Sequence, residues 1–317
     1  MRRPRTPALF AAVLALVLFG FAATSGRPAL AVGSQIRTFV ASTGSDANPC
    51  SRVAPCRTFG AALTQTAGGG EIVALDSGGY GAVTISQAVT IVAAPGIQAS
   101  ISPSSGAAIT VSAGAGDVVV LRNLYLNAQG ADTGILYQSA AALQVENLVV
   151  NGFTSYGIFM NLTSASELYV ADTIVRNNGG AGISLASAYL GGIANVSIVR
   201  TRLEKNFDGI VAAQSVRVSI KDTIASGNAG TGFVAAAFVT PAPVEINLEG
   251  CVASGNTYGI YAASASVAAT VRVSNCSMTG NATGVFAGTN GVILSRGNNT
   301  VEGNTTDGTF TGNYAAK

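Results

Sequence analysis

Apolar and polar residues alternate along eight short segments of the chain, and these segments align with one another without gaps. Each segment is eleven residues long, with apolar first and third positions in almost every copy and a second position that is usually polar. Alternation with a period of two is typical of a β-strand with one buried face. The segments begin at Val119, Leu143, Leu168, Val196, Val218, Ile246, Val271 and Leu294.

The segments recur every 22 to 28 residues, a period that indicates a solenoid with one structural unit per turn. A second strand, which begins with Gly and an apolar residue, follows most segments, as at Gly157-Ile158. Nothing between the segments has an amphipathic helix pattern, so equivalent strands must pair in parallel between turns. Such connections are right-handed. The predicted fold is therefore an all-β, right-handed parallel β-helix of about ten to eleven coils.

The last position of the segment is Asn in six consecutive copies, and Gly precedes it in four of them. Both residues tolerate left-handed backbone angles, which a sharp turn between strands requires. Stacked Asn amides also form hydrogen bonds from rung to rung, as in cross-β stacks. We therefore predict a tight turn with an Asn ladder formed by Asn178, Asn206, Asn228, Asn256, Asn281 and Asn304.

The two ends of the chain differ from the repeats. Three arginines among the first five residues precede a sixteen-residue apolar run, Ala8 to Ala23, and small residues follow at positions 29 and 31. This arrangement predicts a signal peptide over residues 1–31 and a secreted protein, extracellular or periplasmic. The alternative is an uncleaved anchor, for which the run is short. We expect an N-terminal cap and first strand over 32–70, with a short helix capped by Thr58, then the β-helix over 71–310 and a tail over 311–317.

Charge and composition exclude several kinds of function. The chain has 17 basic and 15 acidic residues, but four arginines precede residue 32, and without them the formal charge is −2. No basic stripe remains to follow a phosphate backbone, so we expect no nucleic-acid partner. The absence of His excludes Ser-His-Asp and Cys-His catalysis and histidine-ligated zinc. We expect a monomer with no membrane association after cleavage of the signal peptide.

The four cysteines fall into two pairs, and each pair is a candidate disulfide in an exported protein. Cys50 and Cys56 are close together in a loop-like stretch. Cys251 and Cys276 both occupy the sixth position of their segments, which places them on adjacent rungs about 4.8 Å apart, within the Cα separation of a disulfide. The alternative for this second pair is a stack of buried free thiols. A zinc site formed by both pairs is not expected.

These features identify the chain as similar to the right-handed parallel β-helix proteins with the pectin-lyase-like fold. The segment FVASTGSDANPCSRVAPCRTFGAAL resembles the N-terminal segment of such proteins, GEIVALDSGGYGAVTI resembles their first coil, and the eight repeats resemble the rest. The resemblance covers Arg37 to about Phe310 and implies the fold. It does not imply an activity, because lyases, hydrolases, epimerases and adhesins share this architecture. The lyases use clustered carboxylates to bind Ca²⁺ and the hydrolases use several Asp, and neither motif matches here. We expect no cofactor, with Ca²⁺ conceivable only for a lyase.

Charged residues are concentrated between positions 172 and 222. Alignment places Asp172, Arg200 and Asp222 at the same repeat position on three successive rungs. The simplest interpretation is a salt-bridge ladder along the sheet, and Arg122 and Glu146 predict another ion pair. The alternative is a shallow sugar-binding or catalytic groove. In that case the catalytic candidates are Asp172, Arg200, Asp222 and Lys221, and the substrate-binding candidates are Arg176, Arg202, Glu204, Lys205, Asp208, Tyr189 and Phe238.

Tyr189 and Phe238 belong to that set because they lie in the two longest loops between repeats, where a side chain could stack on a sugar ring. Equally, these loops could fold back over the flank of the solenoid. The sequence thus supports a secreted β-helix protein that engages polysaccharide or a cell-surface glycan without demonstrable catalysis. Two alternatives are an active polysaccharide lyase or glycoside hydrolase, and a structural or adhesive surface module.

Overall fold

Three parallel β-sheets wind around one apolar core in this protein, for which a computed structural model describes residues 33–162, 165–187, 193–237, 243–265 and 267–315. The predicted signal peptide, Tyr189 and Phe238 lie outside these residues. Among the residues described, no helix is long and apolar enough to cross a membrane. The architecture is the predicted parallel β-helix.

Sheet A carries the first half of each repeat segment, and all of its strands are parallel. Its strands, in spatial order, are β1 (Gln35–Val40), β2 (Thr66–Ala74), β5 (Val89–Ala93), β8 (Val118–Arg122), β11 (Ala142–Glu146), β14 (Glu167–Ala171), β17 (Ala194–Val199), β20 (Val216–Lys221), β23 (Val244–Glu249), β26 (Ala269–Ser274), β29 (Gly291–Ser295) and β32 (Gly312–Asn313).

Sheet B is formed by short strands from the second half of each segment. They are β3 (Gly78–Gly79), β6 (Ala99–Ile101), β9 (Leu124–Asn127), β12 (Val149–Asn151), β15 (Ile174–Arg176), β18 (Arg202–Glu204), β21 (Ile224–Ser226), β24 (Val252–Ser254), β27 (Ser277–Thr279) and β30 (Thr300–Glu302). The sequence pattern predicted two strands per rung, and the structure corrects this to three. A single residue with positive φ divides each segment, and the three-residue strand after it is too short to show a period.

Sheet C contains the strands that the Gly-apolar pairs predict. They are β4 (Val83–Ile85), β7 (Ala107–Ser112), β10 (Thr133–Ser139), β13 (Tyr156–Leu162), β16 (Ala181–Ser187), β19 (Asp208–Ala213), β22 (Thr231–Ala237), β25 (Tyr258–Ser264), β28 (Thr283–Ala287) and β31 (Thr306–Gly308). Gly157 and Gly209 show why these strands start with glycine, because a Cβ at either position would overlap a carbonyl oxygen of the next rung.

Like-numbered residues stack in vertical columns, which we call files. On sheet A one inward file runs without interruption from Ile72 through Val170 to Val273, with each member in register with the next. Its members are at most 2% exposed. Because the period is two, the intervening residues of each strand face outward. The interior files therefore determine the coil, and the outward files are available for other roles.

The predicted Asn ladder is confirmed, but its relation to the turn differs from the prediction. The left-handed residue is the one before each ladder Asn, such as Gly227 (φ 62°) or Lys205 (φ 53°). From Asn206 onward, each ladder Asn instead accepts, on its side-chain oxygen, the backbone N–H of the Asn one rung earlier, and Asn178 accepts that of Phe153. The N–Oδ1 distance is 3.0 Å for both Asn206–Asn228 and Asn228–Asn256. The Asn residues therefore link the rungs, and the preceding residue makes the bend.

The ends of the solenoid are closed by different devices. At the N-terminal end, helix α1 (Phe59–Gln65) begins at Thr58, whose side chain accepts the N–H of Ala61, and Phe59 is fully buried in the core. At the other end, the ladder stops at Asn304, whose backbone N–H and side-chain amide both donate to Asp307 Oδ1 at 3.3 and 2.9 Å. Asp307 thus supplies the acceptor that another rung would have supplied.

One of the two predicted disulfides is present. Cys50 and Cys56 are bonded, whereas Cys251 and Cys276 are free and buried, so the predicted second disulfide is wrong. In-register strands keep the two side chains parallel, one above the other. Each thiol occupies the turn position at which earlier rungs have Thr. The Sγ of Cys276 accepts the Cys251 N–H at 3.3 Å, as the Oγ1 of Thr223 accepts the Thr201 N–H. The stack of buried thiols is the correct alternative.

Candidate functional site

Asp172, Arg200 and Asp222 share one file, as predicted, and this file forms the first position of the two-residue turn between sheets A and B. Their φ angles are 52°, 47° and 49°, and Asn123 and Asn147 occupy the same file with φ near 55°. Short polar side chains tolerate this left-handed conformation better than most residues. The turn therefore gives a structural reason for the two aspartates, and their catalytic role stays a prediction.

The predicted ion ladder is only half formed. The Arg200 guanidinium donates to both carboxylate oxygens of Asp172 at 2.7 Å, and these hydrogen bonds lower the pKa of Asp172. No ion pair joins Arg200 to Asp222 within the part of the chain that is described. The predicted pair between Arg122 and Glu146 is present at 2.6 Å. All these side chains are at least 31% exposed, and exposed pairs contribute little to stability.

The other predicted charged residues are distributed over several faces. Arg176, Arg202 and Glu204 are on sheet B, where the Arg202 Nε donates to Glu204 at 2.8 Å. Lys205 forms the turn after β18, and Lys221 ends β20 on sheet A. Asp208 is apart from all of these, because it begins β19 on sheet C. Proximity in the sequence thus overstated their proximity in space, and their proposed roles stay predictions.

Two shallow depressions meet at Tyr169 on the outer face of sheet A, with volumes of about 380 and 320 Å³. Their arginines are largely neutralised by neighbours, since Arg200 pairs with Asp172 and Arg217 contacts Glu245 at 3.3 Å. This surface therefore presents the ring of Tyr169 among charged side chains that already form ion pairs with one another.

A larger depression, of about 480 Å³, lies on the outer face of sheet C. We call it the sheet C cleft. It spans three successive rungs, and the middle rung has small side chains on the outer face. Because these small residues lie between rungs with large ones, the surface is depressed there. The residues that define the cleft are Phe207, Asp208, Thr231, Val234, Tyr258 and Tyr261.

Aromatic rings form the walls of this cleft. Tyr258, Tyr261 and Phe286 are mutually packed, with ring centroids 5.6 to 5.7 Å apart, and Tyr261 stacks on Phe286 at an interplanar angle of 13°. Phe207 belongs to the opposite wall and is 55% exposed, while Phe286 is 42% exposed. A contiguous patch of aromatic rings at the surface, unlike a single exposed ring, marks a candidate interaction site.

Asp208 supplies the charge in this cleft. Its Oδ1 accepts the backbone N–H of Thr231 at 2.6 Å, and Gly230 lacks the Cβ that would overlap this oxygen. Partial burial raises the pKa of Asp208, and hydrogen bonds from the backbone and side chain of Thr231 oppose that effect. A carboxylate has about four acceptor sites, so Asp208, which lines the cleft, retains acceptor capacity.

The sequence interpretation included Asp208 but not the aromatic residues around it. A signal was available, because an aromatic follows the Gly-apolar pair in two adjacent repeats, at Tyr261 and Phe286. The register of sheet C places these two residues side by side. Phe207 could not have been found in this way, because it lies in the turn before its strand.

The described residues do not fit a calcium-dependent lyase. They contain no group of three or more His, Cys, Asp or Glu side chains that could hold a metal ion. Ca²⁺ requires six to eight oxygen ligands, whereas the only carboxylate that lines the sheet C cleft, among the residues described, is Asp208.

The geometry defines a parallel β-helix with an aromatic cleft on one outer face. By sequence, the chain belongs to the family described as right handed beta helix region, which it matches over residues 133–306. The handedness predicted from the sequence agrees with this family.

Among solved structures, the crystal structure of pectate lyase Pel9A is similar to this chain, with 19% identity and a TM-score of 0.54, covering 90% of this chain and 80% of that one. At this identity the likeness shows the shared fold alone. No curated protein matches the chain. A fold of this kind together with a disulfide is typical of secreted proteins.

Proposed function

We propose that the protein binds polysaccharide through the sheet C cleft, at the cell surface or in the surrounding medium, without catalysis. The observation that carries this proposal is the combination of two packed, half-buried tyrosines, the exposed ring of Phe207 and a partly buried carboxylate in one concave surface. Binding sites for small ligands and sugars are concave, apolar and aromatic, with a few convergent polar groups that fix orientation. The cleft has this composition.

The chemistry of a pyranose ring suits these residues. One face of many sugar rings is lined by C–H groups, which pack on an aromatic face, while the hydroxyls at the ring edge donate hydrogen bonds. Tyr261 supplies a flat apolar surface with a polar tip, and Asp208 accepts from a hydroxyl. The packing of Tyr261 against Phe286 holds the ring in place before the ligand arrives, which reduces the entropy lost on binding.

A second aromatic pair supports a polymer as the ligand. Tyr156 and Phe159 stack on the same outer face with centroids 4.7 Å apart. Phe159 and Tyr261 belong to one file, four rungs apart. At about 4.8 Å per rung this distance is roughly 19 Å, a length that several sugar residues would cover. A chain that runs along the solenoid axis could therefore contact both aromatic pairs.

The number of carboxylates favours binding over hydrolysis. Glycoside hydrolases place two carboxyl groups about 5 to 9.5 Å apart across the scissile bond. In the file of Asp208, the residues on the adjacent rungs are Ala181 and Thr231, and neither can act as an acid or a base. Incubation with polysaccharides and detection of reducing ends or unsaturated products tests this point, and turnover that Asp208→Asn abolishes would establish an enzyme instead.

The binding proposal is tested with a glycan array followed by calorimetry on the best ligand. We expect Tyr261→Ala to weaken binding at least tenfold, because one stacking surface is lost. Tyr169→Ala removes an exposed tyrosine from sheet A and serves as the matched control, with unchanged affinity. Equal affinity of both variants, or no glycan binding by the native protein, would refute the proposal.

Secretion is tested by N-terminal sequencing of the exported protein, with cleavage expected after Ala31.

A further inference from the structure

The charges around the sheet C cleft distinguish between classes of sugar. Apart from the two tyrosines, Asp208 is the only ionisable side chain among the described residues that line it. Among the described residues, no basic side chain forms an ion pair with Asp208. Within this part of the chain, the ionised carboxylate of Asp208 therefore has no neutralising partner.

This environment differs from the outer face of sheet A. There Asp172 is paired with Arg200, and Glu146 with Arg122, so each carboxylate is offset by a guanidinium. An acidic sugar in the sheet C cleft would bring its own carboxylate close to Asp208 without such compensation. Two like charges about 6 Å apart, at an effective dielectric constant of about 20, reduce affinity by roughly a hundredfold.

A neutral sugar meets no such penalty. Its hydroxyl donates to the free acceptor positions of Asp208, and a hydrogen bond to an ionised acceptor is stronger than one between neutral groups. The position of the carboxylate is fixed, because Thr231 binds one oxygen and Gly230 leaves room for it. The carboxylate is thus oriented for a donor, which a uronate carboxylate cannot provide.

From these observations we infer that the sheet C cleft binds uncharged pyranose residues and rejects uronates. This inference rests on the proposed function and specifies its ligand class. It implies that the cleft does not bind pectate, the anionic polymer in the name of the similar structure. On this inference, the two proteins share a fold but not a ligand.

The test uses oligosaccharide hexamers that differ in charge. Affinities are measured by calorimetry in low salt for neutral gluco-, xylo-, manno- and galacto-hexamers, for hexagalacturonate, and for its methyl ester, which has the same rings without the charge. We expect at least one neutral hexamer to bind, and the methyl ester to bind at least tenfold more tightly than hexagalacturonate if either binds. Hexagalacturonate that binds as tightly as its ester, or more tightly than every neutral hexamer, would overturn the inference.

Asp208→Asn tests the cause of the discrimination. Asn retains an oxygen for the Thr231 N–H but removes the charge, so the variant should discriminate at least tenfold less between acidic and neutral hexamers. Asp222→Asn, on the turn between sheets A and B, is the matched control and should discriminate as the native protein does. Unchanged discrimination in Asp208→Asn would overturn the inference even though Tyr261 still mattered for binding. Failure of all hexamers to bind would instead refute the proposed function.

Discussion

The Asn ladder should be a large single contribution to stability, and Asn228→Ala measures it. Asn228 is 1% exposed. Its side-chain oxygen accepts the Asn206 N–H and amide at 3.0 and 3.2 Å, and its amide donates to Leu203 O at 3.1 Å and to Asn256 Oδ1 at 2.9 Å. Alanine removes all four hydrogen bonds in a buried site. At about 1 kcal/mol of net stability each, we expect a loss of about 4 kcal/mol.

Urea denaturation followed by far-ultraviolet circular dichroism measures this loss. With a slope of about 3 kcal/mol per M, the midpoint should fall by about 1.3 M at an unchanged slope. Asn247→Ala is the matched control, because Asn247 lies on the outer face of sheet A in register with Ser219 and Arg272. An outward polar residue should change stability by less than about 0.5 kcal/mol. Equal urea midpoints for the two variants would show that the Asn ladder does not stabilise the fold.

Three further changes follow from named contacts. Cys276→Thr should keep the unfolding free energy within about 1 kcal/mol of the native value, because a hydroxyl also accepts the Cys251 N–H. Cys276→Ala leaves that buried donor unpaired and should cost about 1 to 3 kcal/mol. Equal effects of the two variants would contradict the role of Cys276 as an acceptor. Asp307→Ala should lower stability by about 1 kcal/mol in urea denaturation, because the last ladder Asn loses its acceptor, and no loss would show that water replaces it. Asp208→Asn should raise the thermal midpoint at pH 7 but not at pH 3: burial raises the pKa of Asp208 above its ordinary 3.8, so its ionised form destabilises the native state increasingly as pH rises above that value. A midpoint difference that is independent of pH would refute this reasoning.

The parts of the fold that repeat could be predicted from the sequence. Inward residues such as Val170 and Ile198 must be apolar in every rung, because they pack on their equivalents above and below. The ladder Asn is equally constrained, since each one satisfies the backbone of its neighbour. A constraint of this kind leaves a period in the sequence, and the period revealed the solenoid, its register and its ladder.

Other features were missed because they leave no period. The three-residue strands of sheet B are shorter than two periods of alternation, so the division of each segment at residues such as Asn147 was not visible. For Cys251 and Cys276, the spacing was correct but the directions of the side chains decide bond formation. Those directions depend on the backbone dihedral angles at the turn, and an alignment of the repeats does not contain these angles.

The candidate cleft was missed for a related reason. Outward positions are free of the stacking constraint, so Phe207, Val234 and Tyr261 differ from rung to rung and look like variation around the repeat. The cleft exists because the middle rung presents small residues such as Gly230 and Thr231, with Phe207 on one neighbouring rung and Tyr258 and Tyr261 on the other. A search for catalytic motifs favours charged residues such as Asp172, whose place the turn already explains. In a solenoid, departures from periodicity on an outer face therefore point to a candidate site, whereas the periodic residues report only the fold.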